Sequence, residues 1–493
     1  MDFLIGSCRN PEVVQKLTSI LSSIVRGSDD VIESPILKRK DPKTILKEWD
    51  TEFKAGSNLI NKELNELELS QRSKFGPRSI AKPWVDREDD VANYFAAESK
   101  MPTLKVPKDG RRNLRPISLL KAIDFCKNNT NSGMPFVVRK GSVKAIYASE
   151  FNELLTRKDP CIMFTRTQED GKTRTVWGYP FADTINEMMF YRPVLDYQRL
   201  LPYRSALQGP HRVNLRVTEL IDYALSNGWK IVSIDMKSYD QSLKRTLQEL
   251  SFEYIEHLYQ PQYSSDIKAI FERFNTIGII TPDGVVSGPH GVPSGSTFTN
   301  EVDSIAQMIV LFNAGETQYD VQGDDAIVIT RDPDRLFQKY EEAGFVINRE
   351  KSYISDNFAV YLQNLYHTDY RDGDGIIGGI YPTYRALNRI LYLERYIDFE
   401  QDEIPGRDYF SIRTICILEN CKYHPLFKQL VKFVYNLDKY NLTYEGDSLT
   451  KYIQRMKQES GVQGIFKFRY EDDVSSISQF ETVKYLKELT EIS

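Results

Sequence analysis

Three aspartates stand where strand ends could gather charge. Asp235 closes the apolar run Ile231-Val232-Ser233-Ile234. Asp324 and Asp325 occupy the middle of Val321-Gln322-Gly323-Asp324-Asp325-Ala326-Ile327-Val328, a strand–turn–strand pattern. Neighbouring carboxylates at a turn repel one another and need a counter-charge, which Mg²⁺ supplies through hard oxygen ligands. If the two strands lie side by side, Asp235 and Asp324 meet at one sheet edge. Two ions about 3.5–4 Å apart could then clamp the attacking and leaving oxygens of a phosphoryl transfer. In isolation, Asp-Asp at a hairpin tip reads as ordinary turn chemistry. Between the acidic sites runs a glycine-rich segment, Ser287 to Asp303, that leads into a helix. Such a loop can bring backbone N–H groups close to phosphate or sugar, although its composition alone reads as a surface loop.

These groups must be carried by regular elements, and the flanking sequence supplies them. Ile231–Ile234 reads as a buried strand. A helix over about 214–226 precedes it and stops at Asn227-Gly228. From about Thr246 a helix sets Leu247, Leu250, Tyr254 and Leu258 on one face. A further helix covers roughly 298–314, followed by a hairpin over 318–330. Asp332 as N-cap and Pro333 at the first helical position open a helix to about Ala343, which Gly344 closes. This order predicts an α+β layer with helices on one face of a mainly antiparallel sheet. At the other end, Asn10-Pro11-Glu12 starts a helix with Val13, Leu17, Ile20, Leu21 and Ile24 on one side. It is expected to pack onto the body rather than onto a membrane. Residues 105–135 read as loop-rich, and the chain beyond about 385 as mostly helical.

The bulk properties exclude several classes. The chain has 493 residues, a formal charge of −5 and 41% hydrophobic content. No apolar run of about 18 residues exists, so no helix is expected to span a bilayer. Met1-Asp2 opens without the pattern of a secretion signal. The cysteines at 8, 126, 161, 416 and 421 are scattered, which predicts free thiols in a reducing compartment. No histidine pairs with a cysteine at zinc spacing. The acidic balance argues against a simple nucleic-acid coat, but a channel can be basic inside an acidic body.

Taken in order, the segments resemble the palm motifs of viral RNA-directed RNA polymerases. Asp235-x4-Asp240 is similar to motif A, Ser294-Gly295-x3-Thr299 to motif B, and Gly323-Asp324-Asp325 to motif C. The phrase Gly291-Val292-Pro293-Ser294-Gly295-Ser296-x-Phe298-Thr299 most resembles double-stranded RNA viruses of the picobirnavirus and partitivirus group. Thr130-x-Ser132-Gly133-x-Pro135 is similar to motif G. Arg166 with Lys172-x-Arg174 is similar to motif F, and Ala343-Gly344-Phe345 with Asn348 and Lys351-Ser352 to motif D. Tyr361-Leu362-Gln363 is similar to motif E. The resemblance spans roughly 130–365.

What the resemblance implies is an enzyme, a nucleotidyltransferase that replicates and transcribes a viral RNA genome. Asp235 and Asp324 would bind two Mg²⁺ ions, with Mn²⁺ as an alternative, and Asp325 would assist. Lys351 is a candidate general acid for the leaving pyrophosphate. Arg166, Lys172 and Arg174 would hold the triphosphate. Asp240, Ser294, Gly295 and Thr299 would read the ribose. Relatives carry asparagine four residues after the motif B threonine; here Asp303 stands there and Asn300 directly follows Thr299, so either could serve. Ser132, Gly133, Pro135 and Gln363 would touch template or primer. The implied fold is a closed right hand of fingers, palm and thumb with an antiparallel palm sheet. Its expected segments are an extension bridging fingers and thumb at 1–80, fingers at 81–212, and palm at 213–240. A fingers–palm insertion at 241–286, palm at 287–384, and thumb with tail at 385–493 complete it. Implied partners are the RNA template, the nascent RNA, NTPs and a viral capsid protein, for a monomer in host cytoplasm and virion interior that binds no membrane. Two other readings stay open, a reverse transcriptase and a non-catalytic packaging scaffold. Asp240 and Gly323 argue against the first, the intact acidic set against the second. Gly171-Lys172-Thr173 echoes a P-loop ending, but Arg166 stands where that loop needs glycine.

Overall fold

The computed structural model describes residues 10–36, 40–108, 112–397, 403–460, 467 and 469–492. Cys8 lies outside them. Strands are β1 (Cys161–Thr167), β2 (Thr173–Gly178), β3 (Lys230–Ile234), β4 (Ile279–Thr281) and β5 (Gly284–Val286). Then follow β6 (Gln318–Gln322), β7 (Asp325–Thr330), β8 (Tyr353–Ser355), β9 (Phe358–Tyr361) and β10 (Asn364–His367).

The central sheet has the order β6-β7-β3-β8, and every pairing in it is antiparallel. Its apolar residues alternate between faces, as strand geometry requires. Val232, Ile234, Ala326 and Val328 join a large core with the helices Arg245–Leu258, Ser264–Thr276, Thr299–Ala314 and Pro333–Glu342. Ile231, Ile327 and Ile329 point the other way, onto Val217, Leu220 and Ile221 of the helix Pro210–Asn227. The sheet is thus covered on both faces, not one. Ser233 alone interrupts the apolar run Ile231–Ile234 of β3, because a strand buried on both sides needs little polar alternation.

A second sheet, β2-β1-β4-β5, holds the hairpin β1–β2 and a parallel pairing of β1 with β4. The helix Pro11–Arg26, capped by the Asn10 side chain, buries Val13, Leu17, Leu21 and Ile24 against it. The amphipathic pattern at the N-terminus therefore faces protein, as expected. Downstream, the helix Pro42–Ala55 packs Ile45, Trp49 and Phe53 onto the C-terminal helices. Between them, Lys62–Arg72 places Glu68 fully buried at the start of the helix Thr383–Leu391, where its carboxylate accepts from the N–H groups of Thr383 and Tyr384. A carboxylate there satisfies donors that a helix start leaves open. The described residues before about 80 thus touch both the second sheet and the C-terminal helices.

The helix ends follow the sequence signals. Gly228 takes the left-handed conformation after Asn227, and the Asp332 side chain caps Pro333–Glu342. Asp372 accepts from the N–H groups of Asp374 and Ile376, a tight turn. The cysteines at 126, 161, 416 and 421 are buried and free. Among the described residues no helix is long and apolar enough to cross a membrane.

Candidate active site

Register decides what the sheet edge presents. Ile234 pairs with Ala326, and Gln322 pairs with Asp325. Asp235, one residue beyond the paired end of β3, therefore emerges at the edge formed by the Gly323-Asp324-Asp325 turn. Gly323 makes that turn with a φ of 61°, and a Cβ there would come 2.9 Å from Asn300 Oδ1.

Each acidic residue is held by polar groups from elsewhere. The Asp235 N–H donates to Ser352 Oγ at 3.0 Å, and its carbonyl accepts from the Asn348 N–H at 2.8 Å. Asn348 Nδ2 donates to Asp235 Oδ2 at 2.7 Å. The turn is gripped by the helix Thr299–Ala314. Ser304 Oγ accepts from the Gly323 N–H at 2.8 Å, and Gln307 Nε2 donates to the Gly323 carbonyl at 2.7 Å. Residues 300, 304 and 307 fall on one helical face, so one face supplies the whole grip. Buried beside them, Arg204 forks onto Glu301 at 2.8 and 2.9 Å and reaches Gln322 Oε1 at 3.3 Å.

The edge is electrostatically strained. Asp324 faces open space, yet the surrounding walls desolvate it. Burial is the largest cause raising its pKa; Asp235 adds to the rise, and Arg174 and Lys172 oppose it. Asp325 is pushed up by burial and then by Asp324 and Asp235. Arg174 and Lys172 lie on the β1–β2 hairpin, where Arg166 pairs with Arg174. All three side chains are exposed. The charges of Asp235 and Asp324 are felt at Lys172, as is that of Lys351. This basic hairpin thus faces the acidic edge. Its turn is anchored through Glu169, which lies 3.3 Å from Arg78 and 3.5 Å from Arg385, while Arg78 also reaches Glu394 at 2.5 Å.

Among the described residues, no three His, Cys, Asp or Glu side chains are gathered tightly enough to hold a metal ion as they stand. In that arrangement Asp235 is turned onto Asn348. The donor chemistry still fits a hard divalent cation, because three carboxylates crowd one edge and Asp324 and Asp325 are both held above the ordinary carboxylate range.

Around the edge, the structure sorts the remaining candidates. Asp240 and Asp303 are both raised, chiefly by burial, with Asp324 adding to each. Asp303 also feels Asp240, and its Oδ1 has no hydrogen-bond partner. Asn300 instead lies against Gly323. Ser294 Oγ accepts from the Trp177 N–H at 3.3 Å and donates to the Thr175 carbonyl at 3.4 Å. A Cβ on Gly295 would fall 1.6 Å from the Trp177 carbonyl oxygen, so only glycine fits. Thr299 Oγ1 donates to the Pro293 carbonyl at 2.8 Å. Ser294 and Gly295 thus staple the loop to β2, while Thr299 ties it to itself. Ser132 and Gly133 are buried, and Ser132 Oγ accepts from the Val138 N–H. The Ser132 hydroxyl is thus engaged within its own turn, whereas Pro135 is half-buried. Gln363 is exposed at the β9–β10 turn and accepts from Arg469 at 3.1 Å. His290 is a loop residue but a buried one, with both ring nitrogens at backbone carbonyls.

Residues 83–376 match the family model described as viral RNA-dependent RNA polymerase, and the chain belongs to that family. Its activity is template-directed RNA synthesis, which takes an RNA template and NTPs as substrates. Within the family it is similar to picobirnavirus polymerases. It is 28% identical over 475 positions to a potential RNA-dependent RNA polymerase of a human picobirnavirus, covering 86% of each chain. The crystal structure of the RNA-dependent RNA polymerase of a human picobirnavirus superposes with a TM-score of 0.81 at 25% identity. That match covers 98% of this chain and all of the other. An insertion-loop deletion mutant of that polymerase gives 0.80.

Proposed function

We propose that Asp235, Asp324 and Asp325 form the catalytic acidic set and would hold the divalent cations of nucleotidyl transfer. When bound, such ions lower the pKa of an attacking hydroxyl and neutralise charge on the leaving group. The observation that carries this reading is the β3–β7 register, which delivers all three residues to one edge. Arg166, Lys172 and Arg174 meet the triphosphate from across the cleft, where they balance the charge of the incoming nucleotide. Lys351, exposed near Lys172, donates a proton to the departing pyrophosphate. Gln363 and Pro135 contact RNA strands. In a right-hand reading, 81–212 are fingers, 213–240 and 287–384 palm, 241–286 an insertion, and 385–493 thumb and tail. The N-terminal helices that touch both the second sheet and the C-terminal helices, and the Arg78–Glu169–Arg385 cluster, support closure by residues 1–80.

The purified protein, incubated with single-stranded RNA, NTPs and Mg²⁺, should convert the template to full-length duplex. Chelation should stop the reaction and dNTPs should not replace NTPs. Absence of product with every template, or efficient use of dNTPs, would overturn the reading.

Asp240 and Asp303 read the ribose in this proposal, supported by the desolvation of both carboxyls and by the unpartnered oxygen of Asp303. A buried acceptor rejects a sugar that leaves it unpaired. Asp240→Ala should therefore lower the preference for NTP over dNTP by about 10- to 100-fold. The ratio of kcat/KM values measures it, and an unchanged ratio rejects the role.

A further inference from the structure

Glu187 lies in the helix Phe181–Gln198, 3% exposed, and among the described residues no basic side chain is hydrogen-bonded to it. One carboxyl oxygen does two jobs: Oε2 accepts from Ser296 Oγ at 2.8 Å and from the Thr297 N–H at 2.7 Å. Ser296 in turn accepts from the Phe298 N–H at 3.0 Å. The same loop is pressed against β2 on its other side, through Ser294 and the close approach of Gly295 to Trp177. Arg174 lies three residues before Trp177 on that strand. The first residue of the Glu187 helix, Phe181, donates its N–H to the Ser132 carbonyl. One helix therefore ties together the Ser132 turn and the glycine-rich loop, with β2 alongside. A buried carboxyl is expensive unless its hydrogen bonds accomplish something.

We infer that Glu187 is a positioning residue for RNA synthesis, whose carboxyl fastens Ser296 and Thr297 and so sets the loop that leads into Thr299 and Asp303. The inference rests on the proposed role of that loop in reading the ribose. Glu187 touches no reacting atom; it acts through the loop.

Its environment adds a second readout. Burial pushes the Glu187 carboxyl up to about 8, with Ser296 and Thr297 pulling down and Asp183 pushing up. Asp183 is paired with Arg273 at 2.9 Å. Lys140, Tyr179 and Cys161 also face this carboxyl. A raised folded pKa means a contribution fully present below the ordinary value of 4.5 and lost as pH rises through about 8.

The test compares Glu187→Gln and Glu187→Met in the full-length protein, with Asp324→Ala as reference. Gln keeps an accepting oxygen without the charge. Met fills the space and offers none. Thermal melts and RNA binding establish that both fold. Glu187→Gln should synthesise RNA near the parent rate at neutral pH and lose less melting temperature than the parent between pH 7 and 9. Glu187→Met should fold, yet lose about 10- to 100-fold in kcat through misplacement of the loop, with a reduced preference for NTP over dNTP. Parental kcat and sugar preference in Glu187→Met, while Asp324→Ala is inactive, would overturn the inference and leave the acidic set standing. Should Glu187→Met not fold, a Glu187→Gln as defective as Asp324→Ala would overturn it, and a near-parental one would support it. Activity retained in Asp324→Ala would instead strike the underlying reading.

Discussion

Asp324→Ala should cut RNA synthesis by about 10³-fold or more while template binding persists. A loss of this size corresponds to roughly 4 kcal/mol of transition-state stabilisation. The residue sits at the tip of a turn whose backbone is held from behind by Ser304 and Gln307. Neither bond involves the Asp324 side chain, so its removal leaves the turn in place. What disappears is a carboxylate crowded by Asp235 and Asp325 and faced by Lys172 and Arg174. The folded pKa of Asp324 is raised, so its charge opposes folding increasingly as pH rises from the ordinary carboxylate range upward. The alanine variant should accordingly melt no lower than the parent at pH 8 in the absence of divalent ions. RNA binding depends on basic groups and persists with its usual salt dependence. Extension assays, filter binding and thermal melts read the three quantities. Synthesis at the parental rate would remove Asp324 from the chemistry.

Arg204→Met should destabilise the fold by about 3–5 kcal/mol, because it strands a buried carboxylate. Arg204 and Glu301 are both fully buried and are joined by two short charge-assisted bonds. Gln198 and Gln322 accept from the same two Nη groups at 2.8 and 3.3 Å, and Nε finds no partner among the described residues. Removing the cation leaves Glu301 in an apolar core with nothing to neutralise it. Arg204→Met combined with Glu301→Leu should recover most of the loss, since the pair's desolvation then disappears along with its attraction. Denaturant titration of the single and double variants separates these effects. A single variant as stable as the parent would show that the charge is relieved by some other route.

The sheet edge was legible because its elements are local. The apolar run 231–234, the Gly323 turn and the Asp332-Pro333 start each declare themselves within a few residues. The partners that aim the carboxylates were not legible. Asn348 and Ser352 could be read as motif D positions, but their contact with Asp235 spans more than a hundred residues and has no local signal. Ser304 and Gln307 look like ordinary polar positions on an apolar helix until the turn they hold is in view. The parallel pairing of β1 with β4 joins segments that no turn connects, so it had no local signal. Glycine at 295 could be read as loop flexibility, but the structure makes it a matter of clearance from Trp177. Ser132 was readable as part of a motif, yet only packing reveals that its hydroxyl faces inward.

The helix Thr299–Ala314 carries Asn300, Ser304 and Gln307 against the acidic turn, Glu301 against Arg204, and Asp303 toward Asp240. One shaft therefore drives two gears. On the proposed roles, rotating or sliding it by a fraction of a turn would shift the metal-binding tip and the ribose-reading pair together. Speed and accuracy would then be mechanically yoked: substitutions along that inner surface should alter both in step, and a variant that trades neither for the other should lie off the shaft.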